Sequence, residues 1–191
     1  MTTTPSETVV DKDLVFTITI FIEPGQPVKG LEGEIYFNPH VFQIINITEG
    51  DFFSPYPTYF KNGTIDNVNG TITKLYSVIL GQFNTTVNGN FVSINISAVN
   101  ESYSYILLNK WGVCNDTQYV GIATHNGRII VKGDYYPYDL NEDGITNFLD
   151  ISIFVVSYGS TGYPGWIRSD IDDTGLIDFR DVSILVSNYL K

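Results

Sequence analysis

Residues 139–158 read DLNEDGITNFLDISIFVVSY, and residues 170–189 repeat the pattern as DIDDTGLIDFRDVSILVSNY. Each copy has oxygen-bearing side chains at positions 1, 3, 5, 9 and 12 of a loop and a glycine at position 6, Gly144 or Gly175. Calcium takes six to eight oxygen ligands, and a twelve-residue loop with a sharp glycine turn supplies them, one through the backbone carbonyl of position 7. Positions 1, 3, 5, 7, 9 and 12 are Asp139, Asn141, Asp143, Ile145, Asn147 and Asp150 in loop 1, and Asp170, Asp172, Thr174, Leu176, Asp178 and Asp181 in loop 2.

Two loops in the same register therefore predict two bound Ca²⁺ ions. The alternative is a pair of acidic turns at helix starts, where aspartate is common. A single loop of this kind arises easily by chance, whereas two in fixed register, each followed by a helix, favour calcium.

A short amphipathic helix is predicted after each loop, since apolar residues follow at i, i+3, i+4 and i+7. These residues are Ile151, Phe154, Val155 and Tyr158, then Val182, Leu185, Val186 and Tyr189. Position 12 is Asp rather than the Glu of the common helix–loop–helix motif. Loop–helix, linker, loop–helix with Asp at position 12 resembles the dockerin module of cellulosomes and archaeal surface proteins. Thr174 is a poorer ligand than the Asp or Asn usual there, and Thr146 stands where an aliphatic residue normally anchors the first loop.

The part of the chain before these loops is rich in short β patterns separated by Gly/Asn turns, which indicates an antiparallel sandwich of the jelly-roll type. Residues 15–23 (VFTITIFIE) are apolar on both sides and predict a central strand. Further strands are predicted at 31–38, 43–48, 71–80, 91–99, 103–108 and 119–131. The fold class predicted is mainly β, with a small α module at the C-terminal end.

The stretch GLEGEIYFNPHVFQIINITEGDFF, residues 30–53, resembles the opening of a cohesin domain. Tyr36, Asn38, Pro39 and Gly50 match its layout of strand, turn and strand, with Asn38 in place of the usual Asp. The resulting division is a tail at 1–7, a cohesin-like sandwich at 8–132, a linker at 133–138 and a dockerin-like module at 139–191. The linker spans about 20 Å when extended, and its tyrosines are predicted to pack between the domains.

Composition and charge limit the classes of partner and the cellular location that we expect. The chain carries a net charge of −11, distributed as −7 over residues 134–191 and −4 over the rest, and no basic stripe indicates nucleic acid. No apolar segment indicates insertion in a membrane. The single cysteine, Cys114, excludes an intrachain disulfide and is predicted to be a small apolar side chain. Seven N-x-Ser/Thr sequons, together with loops of the millimolar calcium type, favour an extracellular or cell-surface protein. The sequon residues are Asn46, Asn62, Asn69, Asn84, Asn95, Asn100 and Asn115.

An enzyme is not expected, because no catalytic triad, phosphate loop or dinucleotide motif is present. His40 and His125 fall in predicted turns and are predicted to be surface residues.

Two function classes remain. In the first, the chain is an assembly protein: resemblance implies that dockerins bind cohesins with calcium, so a chain with both halves would join copies head to tail into filaments or tubes. In style this resembles the extracellular tubes called cannulae of hyperthermophilic archaea.

Three apolar residues at loop positions 10 and 11, Phe148, Leu149 and Phe179, are predicted as partner contacts or core. The second function class is a carbohydrate-binding module of a cellulosome-like assembly, with the aromatic residues Phe52, Phe53, Tyr56, Tyr59 and Phe60 on the sugar; packing over a sheet end is the alternative for that loop. Residues 2–10 are predicted as a frayed tail or as a strand donated to a neighbouring copy.

Overall fold

The computed structural model describes residues 1–115, 118–133, 136–141, 143–164 and 166–190. This part of the chain contains eleven strands followed by two helices. The elements are β1 (Thr2–Thr4), β2 (Glu7–Asp11), β3 (Val15–Ile22), β4 (Gly30–Tyr36), β5 (Phe42–Glu49), β6 (Thr58–Asp66), β7 (Thr71–Ile79), β8 (Gly89–Ala98), β9 (Ser102–Cys114), β10 (Tyr119–Gly121), β11 (Gly127–Lys132), α1 (Phe148–Ser157) and α2 (Phe179–Ser187).

The strands form two sheets. The first has the order β1-β3-β8-β5, and the second has the order β2-β11-β9-β4-β7-β6, with β10 paired to β9. Pairing is antiparallel except between β2 and β11, which run parallel. The prediction of a mainly β sandwich followed by two short helices is confirmed, and the central position predicted for residues 15–23 is confirmed by β3, which lies between β1 and β8.

The core lies between the sheets because alternate residues of each strand point inward. Ile94 and Ile96 of β8 face Ile35 and Leu75 of the other sheet's strands within one cluster, and all four are fully buried. Phe91 packs edge to face against the Trp111 ring at a centroid distance of 5.7 Å. Each such side chain contributes about 1.5–3 kcal/mol through its burial, so this cluster dominates the stability of the sandwich.

Several predicted strand limits were wrong. Residues 58–66, read from sequence as part of an aromatic loop and an NGT turn, form β6, with Gly63 at φ 81° within the strand. β9 runs on to Cys114, well past residue 108. The predicted strand 119–131 is divided into β10 and β11. Polar Asn and Thr side chains concealed β6 because it is an edge strand of its sheet and is half-exposed along its length.

The N-terminal residues are neither a tail nor a strand offered to a neighbour. β1 pairs with β3 of the same chain, and β2 pairs with β11 from Thr8↔Ile129 to Asp11↔Lys132. Thr3 is 1% exposed and Val10 is 6% exposed. The N-terminal segment thus crosses from one sheet to the other and belongs to the sandwich.

The two helices enclose a second, smaller cluster of Leu140, Phe154, Ile171, Ile177 and Leu185. Each helix begins with a capping box, Asn147 with Asp150 in α1 and Asp178 with Asp181 in α2. The buried stripe is narrower than the sequence spacing predicted. Val155, Tyr158, Val186 and Tyr189 are exposed, because each helix buries only one residue of its apolar stripe in this cluster, Phe154 in α1 and Leu185 in α2. Among the described residues, neither helix has the length and apolar character needed to cross a membrane.

Candidate functional site

Loop 1 and loop 2 are built on the carboxylate at position 12. Asp150 accepts hydrogen bonds from the backbone N–H groups of Leu140 (2.7 Å), Asn141 (3.1 Å) and Asn147 (2.7 Å). Asp181 accepts the matching three bonds from Ile171, Asp172 and Asp178 at 2.7, 3.0 and 2.9 Å. Aspartate is short enough to serve the loop and the helix start together, so each loop is closed on the first turn of its helix.

The carboxylate at position 1 shapes the glycine turn. Asp139 accepts from Gly144 N–H at 2.7 Å, and Asp170 accepts from Gly175 N–H at 2.9 Å. Gly144 and Gly175 have φ angles of 86° and 80°, in the left-handed region that glycine adopts without steric cost. The repeat found in the sequence is therefore a repeat of backbone geometry as well.

Three of the six predicted ligands of loop 2 lie together. Carboxylate oxygens of Asp170, Asp172 and Asp181 all lie within 4.8 Å of one another. Asp170 is 3% exposed and Asp181 is 0% exposed. Buried like charges at this separation are costly without a cation, so the donor set fits a hard divalent ion such as Ca²⁺.

The residues at loop positions 7 and 5 also agree with their predicted roles. Ile145 and Leu176 expose their side chains, as expected where only the backbone carbonyl is used. The pKa of Asp143 is lowered, first by the hydrogen bond from the Asn141 side chain and then by the Ile145 N–H, which keeps this carboxylate charged. Residue 142, at position 4 of loop 1, lies outside the described residues.

The two departures noted in the sequence have different consequences. Thr146 is 1% exposed, so its side chain occupies the buried place that Ile177, at 0%, fills in loop 2; its backbone carbonyl accepts from Leu190 N–H at 2.8 Å. Thr174 donates its hydroxyl to Asp172 at 2.8 Å. The Asn141 side chain donates to Asp143 at the same distance in loop 1, so the poorer ligand set of loop 2 stays a prediction based on the hydroxyl at position 5.

The outward side of α1 is apolar. Its exposed residues, named here the outer α1 face, are Phe148, Leu149, Ile153, Val155 and Val156. Val156 is 86% exposed and Phe148 is 69% exposed, so the residues at loop positions 10 and 11 are surface residues and not core. In α2 the positions matching Leu149 and Val156 are Arg180 and Ser187. The outer side of α2 is therefore less apolar than that of α1.

The outer surface of the β9-β4-β7-β6 part of the larger sheet is rich in tyrosine. We name as the tyrosine face Tyr59, Tyr76 and Tyr119 with the charged side chains around them. Tyr59 and Tyr76 have ring centroids 6.1 Å apart, and Tyr76 and Tyr119 line a groove of about 230 Å³. Gly112 forms part of its floor, where a Cβ would lie 2.2 Å from the Tyr119 ring. The charged residues are Glu32, Glu34, Lys61, Lys74 and Lys110.

The C-terminal module contacts the sandwich of its own chain beside that face. Tyr36 packs against Tyr163 and Trp166 with centroid distances of 5.5 and 6.4 Å. The Tyr103 hydroxyl donates to Asp173 in loop 2. We call these contacts the clasp. It leaves the outer α1 face exposed, and Tyr59 and Tyr119 remain more than half exposed.

The aromatic loop proposed for sugar binding does not form an exposed platform. Phe52 and Phe53 are each 2% exposed and belong to the sandwich core. Tyr56 stacks on Phe83, and Phe60 packs against the core from β6. The alternative prediction, packing over a sheet end, describes these four residues, whereas Tyr59 on β6 is 56% exposed.

Other predicted features have mixed outcomes. Asn38 stabilises the predicted turn, since its side chain accepts from His40 N–H at 3.0 Å. Asn46 and Asn95 are opposite each other on β5 and β8 and are hydrogen-bonded at 2.9 Å. Cys114 is half-buried at the end of β9. Parts of the Asn115 sequon and of the linker 133–138 lie outside the described residues, at 116, 117, 134 and 135; in the linker, Tyr136 and Tyr138 stack at 5.7 Å.

Sequence reasoning missed Tyr76, Tyr103 and Tyr119 as surface groups. The alternation of SYSY in residues 102–105 puts two tyrosines on the same side of a strand. It does not tell whether that side faces the core or the surface of the sandwich. That assignment depends on how the sheets pair.

Comparison with known proteins identifies the fold of the sandwich. No protein-family model matches the sequence, and no curated protein does. Among solved structures, the third ScaC cohesin of Acetivibrio cellulolyticus, in complex with the ScaB dockerin, matches with a TM-score of 0.53 and 16% identity over 66% of this chain and 96% of that one. A non-cellulosomal cohesin of the archaeon Archaeoglobus fulgidus matches with a TM-score of 0.54 and 11% identity over 69% and 89%. The Coh-OlpC–Doc435 complex of Clostridium thermocellum gives 0.55 and 10% over 66% and 89%.

The N-terminal part of this protein is therefore a cohesin-like β-sandwich. At these identities the likeness concerns the fold.

Proposed function

We propose that this protein is a non-enzymatic, extracellular calcium-binding assembly protein in which the C-terminal module of one copy binds the sandwich of the next. The contact is heterologous, because the outer α1 face of one copy meets the tyrosine face of another. Contacts of this kind propagate into filaments or tubes unless the geometry closes a ring.

Calcium would be held by the twelve predicted ligand positions of loops 1 and 2. Bound ions neutralise the clustered carboxylates and fix each loop against the first turn of its helix. The loops thereby order the outer α1 face, and ion binding is linked to folding of the module.

The observation that carries the proposal is that both complementary surfaces are exposed in one chain. Val156 of the outer α1 face and Tyr119 of the tyrosine face are 86% and 55% exposed. The clasp places the module against Tyr36 and Tyr103 instead, so a chain in this arrangement satisfies neither surface by itself. A helix face with five neighbouring exposed apolar residues is typical of an interaction site, and a second copy offers the matching surface.

Charge favours the same partner. The tyrosine face carries Lys61, Lys74 and Lys110 against Glu32 and Glu34, whereas residues 134–191 carry −7. Opposite signs across an interface speed association and select the register of binding.

Secretion is supported by the seven sequons and by the calcium loop type, which binds at roughly 10⁻⁴–10⁻³ M in extracellular modules. The carbohydrate-binding alternative loses Phe52 and Phe53, which are buried in the core, and keeps Tyr59, which is exposed on the tyrosine face.

Light scattering of the purified chain in 10 mM CaCl₂ tests the assembly. We expect wild-type particles to grow with concentration, and Val156→Glu to weaken association by about tenfold or more, because it buries a charge in an apolar contact. Val68→Glu is the matched control. Val68 is 84% exposed in the turn between β6 and β7 and lies outside both surfaces.

Equal assembly of Val156→Glu and wild type would reject the outer α1 face. Monomers at every wild-type concentration would reject self-assembly, and a polysaccharide pull-down that retained wild type would then favour the carbohydrate alternative.

A further inference from the structure

The sandwich reaches into loop 2 through a tyrosine hydroxyl. Tyr103, on β9, donates to the Asp173 carboxylate. Asp173 is position 4 of the loop, directly between the predicted ligands Asp172 and Thr174. The carboxylate that receives this bond thus belongs to the segment of loop 2 that must wrap the ion.

The conformation at Asp173 needs support. Its φ is 59°, a left-handed geometry that is uncommon for a residue other than glycine. This geometry orients Thr174 N–H, which donates to Asp170 at 3.0 Å and to Asp172 at 3.3 Å. A contact that fixes the Asp173 side chain therefore also fixes the two ligands at positions 1 and 3.

Tyr103 is itself held in place. The Arg128 guanidinium lies 4.8 Å from the centroid of the Tyr103 ring, and Glu7 holds Arg128 at 3.6 Å. The Tyr105 ring packs edge to face against Tyr103 at a centroid distance of 6.5 Å. Because the bond from Tyr103 to Asp173 belongs both to the clasp and to loop 2, the position of the module on the sandwich and the conformation of the loop depend on each other.

Loop 2 has the greater need of such help, because its position 5 is Thr174 where loop 1 has Asp143. We infer that Tyr103 is a positioning residue for the second calcium ion, so that loop 2 reaches its full affinity only while the module is clasped to the sandwich. This inference rests on the proposed calcium function. By linkage, the ion in loop 2 strengthens the clasp by the same factor, and so sets the angle at which each copy presents its outer α1 face.

Calcium titration calorimetry on the full chain tests the inference one loop at a time. In an Asp139→Ala background, which removes the loop 1 site, we expect Tyr103→Phe to raise the Kd of the remaining ion roughly threefold to tenfold, the usual worth of one hydrogen bond. In an Asp170→Ala background, which leaves the loop 1 site, the same substitution should change nothing. Tyr56→Phe, which keeps the stacked ring on Phe83, is the matched tyrosine control.

Hydrogen exchange supplies a second readout. Calcium should slow amide exchange in residues 161–163 and 166–168 of wild type, the segment that packs on Tyr36, and should slow it less in Tyr103→Phe. Equal Kd values in the Asp139→Ala background, with wild type binding two ions, would overturn the tyrosine role alone. Wild type that binds no calcium would overturn the calcium function and this inference together.

Discussion

At the scale of single residues, a few side chains decide what their neighbours can do. Gly33 in β4 is an example, because a Cβ there would lie 2.1 Å from the ring of Trp111. Trp111 is 4% exposed and donates its indole N–H to the Glu34 carbonyl at 2.9 Å. The indole is thus held on both sides, by the core and by the backbone of β4.

Gly33→Ala is therefore expected to destabilise the sandwich by about 1–3 kcal/mol, the usual cost of overpacking. Urea unfolding of the full chain in excess calcium measures it. Gly25→Ala is the control, since a Cβ at Gly25 meets nothing within 4 Å, and its effect should stay within about 0.5 kcal/mol. Similar urea midpoints for the two variants would show that the Trp111 ring moves aside without lowering the free energy of unfolding.

At the scale of elements, the loops and the first two strands show how local segments are stabilised from elsewhere. Each loop is closed by the aspartate of the following helix, Asp150 or Asp181. β1 and β2 are too short to be stable alone, and each depends on a partner distant in sequence, β3 or β11. Both cases join a short segment to a rigid neighbour.

Removing one ligand from either loop should remove one ion. With a Kd of roughly 10⁻⁴–10⁻³ M and 10 mM calcium, each ion stabilises the module by about 1.4–2.7 kcal/mol. Scanning calorimetry with calcium or EDTA should show this gain reduced in Asp139→Ala and in Asp170→Ala. Asp11→Ala, which removes an exposed carboxylate 3.6 Å from Lys132, should keep the full gain. A wild type whose melting temperature ignores calcium would refute calcium binding by these loops.

Deleting the N-terminal strands should weaken the sandwich itself. Loss of residues 1–6 removes β1, and loss of residues 1–11 also removes β2 and the buried Val10. We expect the urea midpoint to fall in two steps, because each deletion exposes core and leaves backbone groups of β3 or β11 unpaired. If the urea midpoint stayed unchanged and assembly were lost, the hypothesis that these residues are a strand donated to a neighbouring copy would be favoured instead.

At the scale of the whole molecule, the net charges of the two parts and the local charge of the tyrosine face predict opposite effects on association between copies. The values of −7 and −4 for the two parts of the chain predict repulsion between copies. The tyrosine face carries three lysines and two glutamates, so its local charge is of the opposite sign to the module. We therefore expect relief of repulsion to be a small part of the calcium effect on assembly, and ordering of the loops and helices to be the larger part.

Sodium chloride separates these two causes. Screening lengths fall from about 8 Å at physiological ionic strength to about 3 Å at 1 M, but sodium does not fill the loops. We expect 1 M NaCl with EDTA to leave the chain unassembled by light scattering, and 10 mM calcium at physiological salt to assemble it. Equal assembly in EDTA with high salt would leave electrostatic screening as the whole explanation.

What the sequence determined by itself is local. The loop residues lie within twelve positions of one another, so their spacing alone predicted the glycine turns and the helix starts at Phe148 and Phe179; the calcium ligand set stays a prediction. Apolar residues on both sides of residues 15–23 likewise predicted β3 as a central strand. Both signals are short-range, and the backbone geometry that produces them repeats within a few residues.

What only the tertiary structure decided depends on partners distant in sequence. β6 and the N-terminal strands lack a strong pattern, and their place follows from pairing with β7, β3 and β11. Phe52 and Phe53 look like surface aromatics in a polar loop until the two sheets enclose them. The clasp joins Tyr103 to Asp173 across 70 residues, and no local pattern reports such a contact, because sheet pairing and domain packing bring its two ends together.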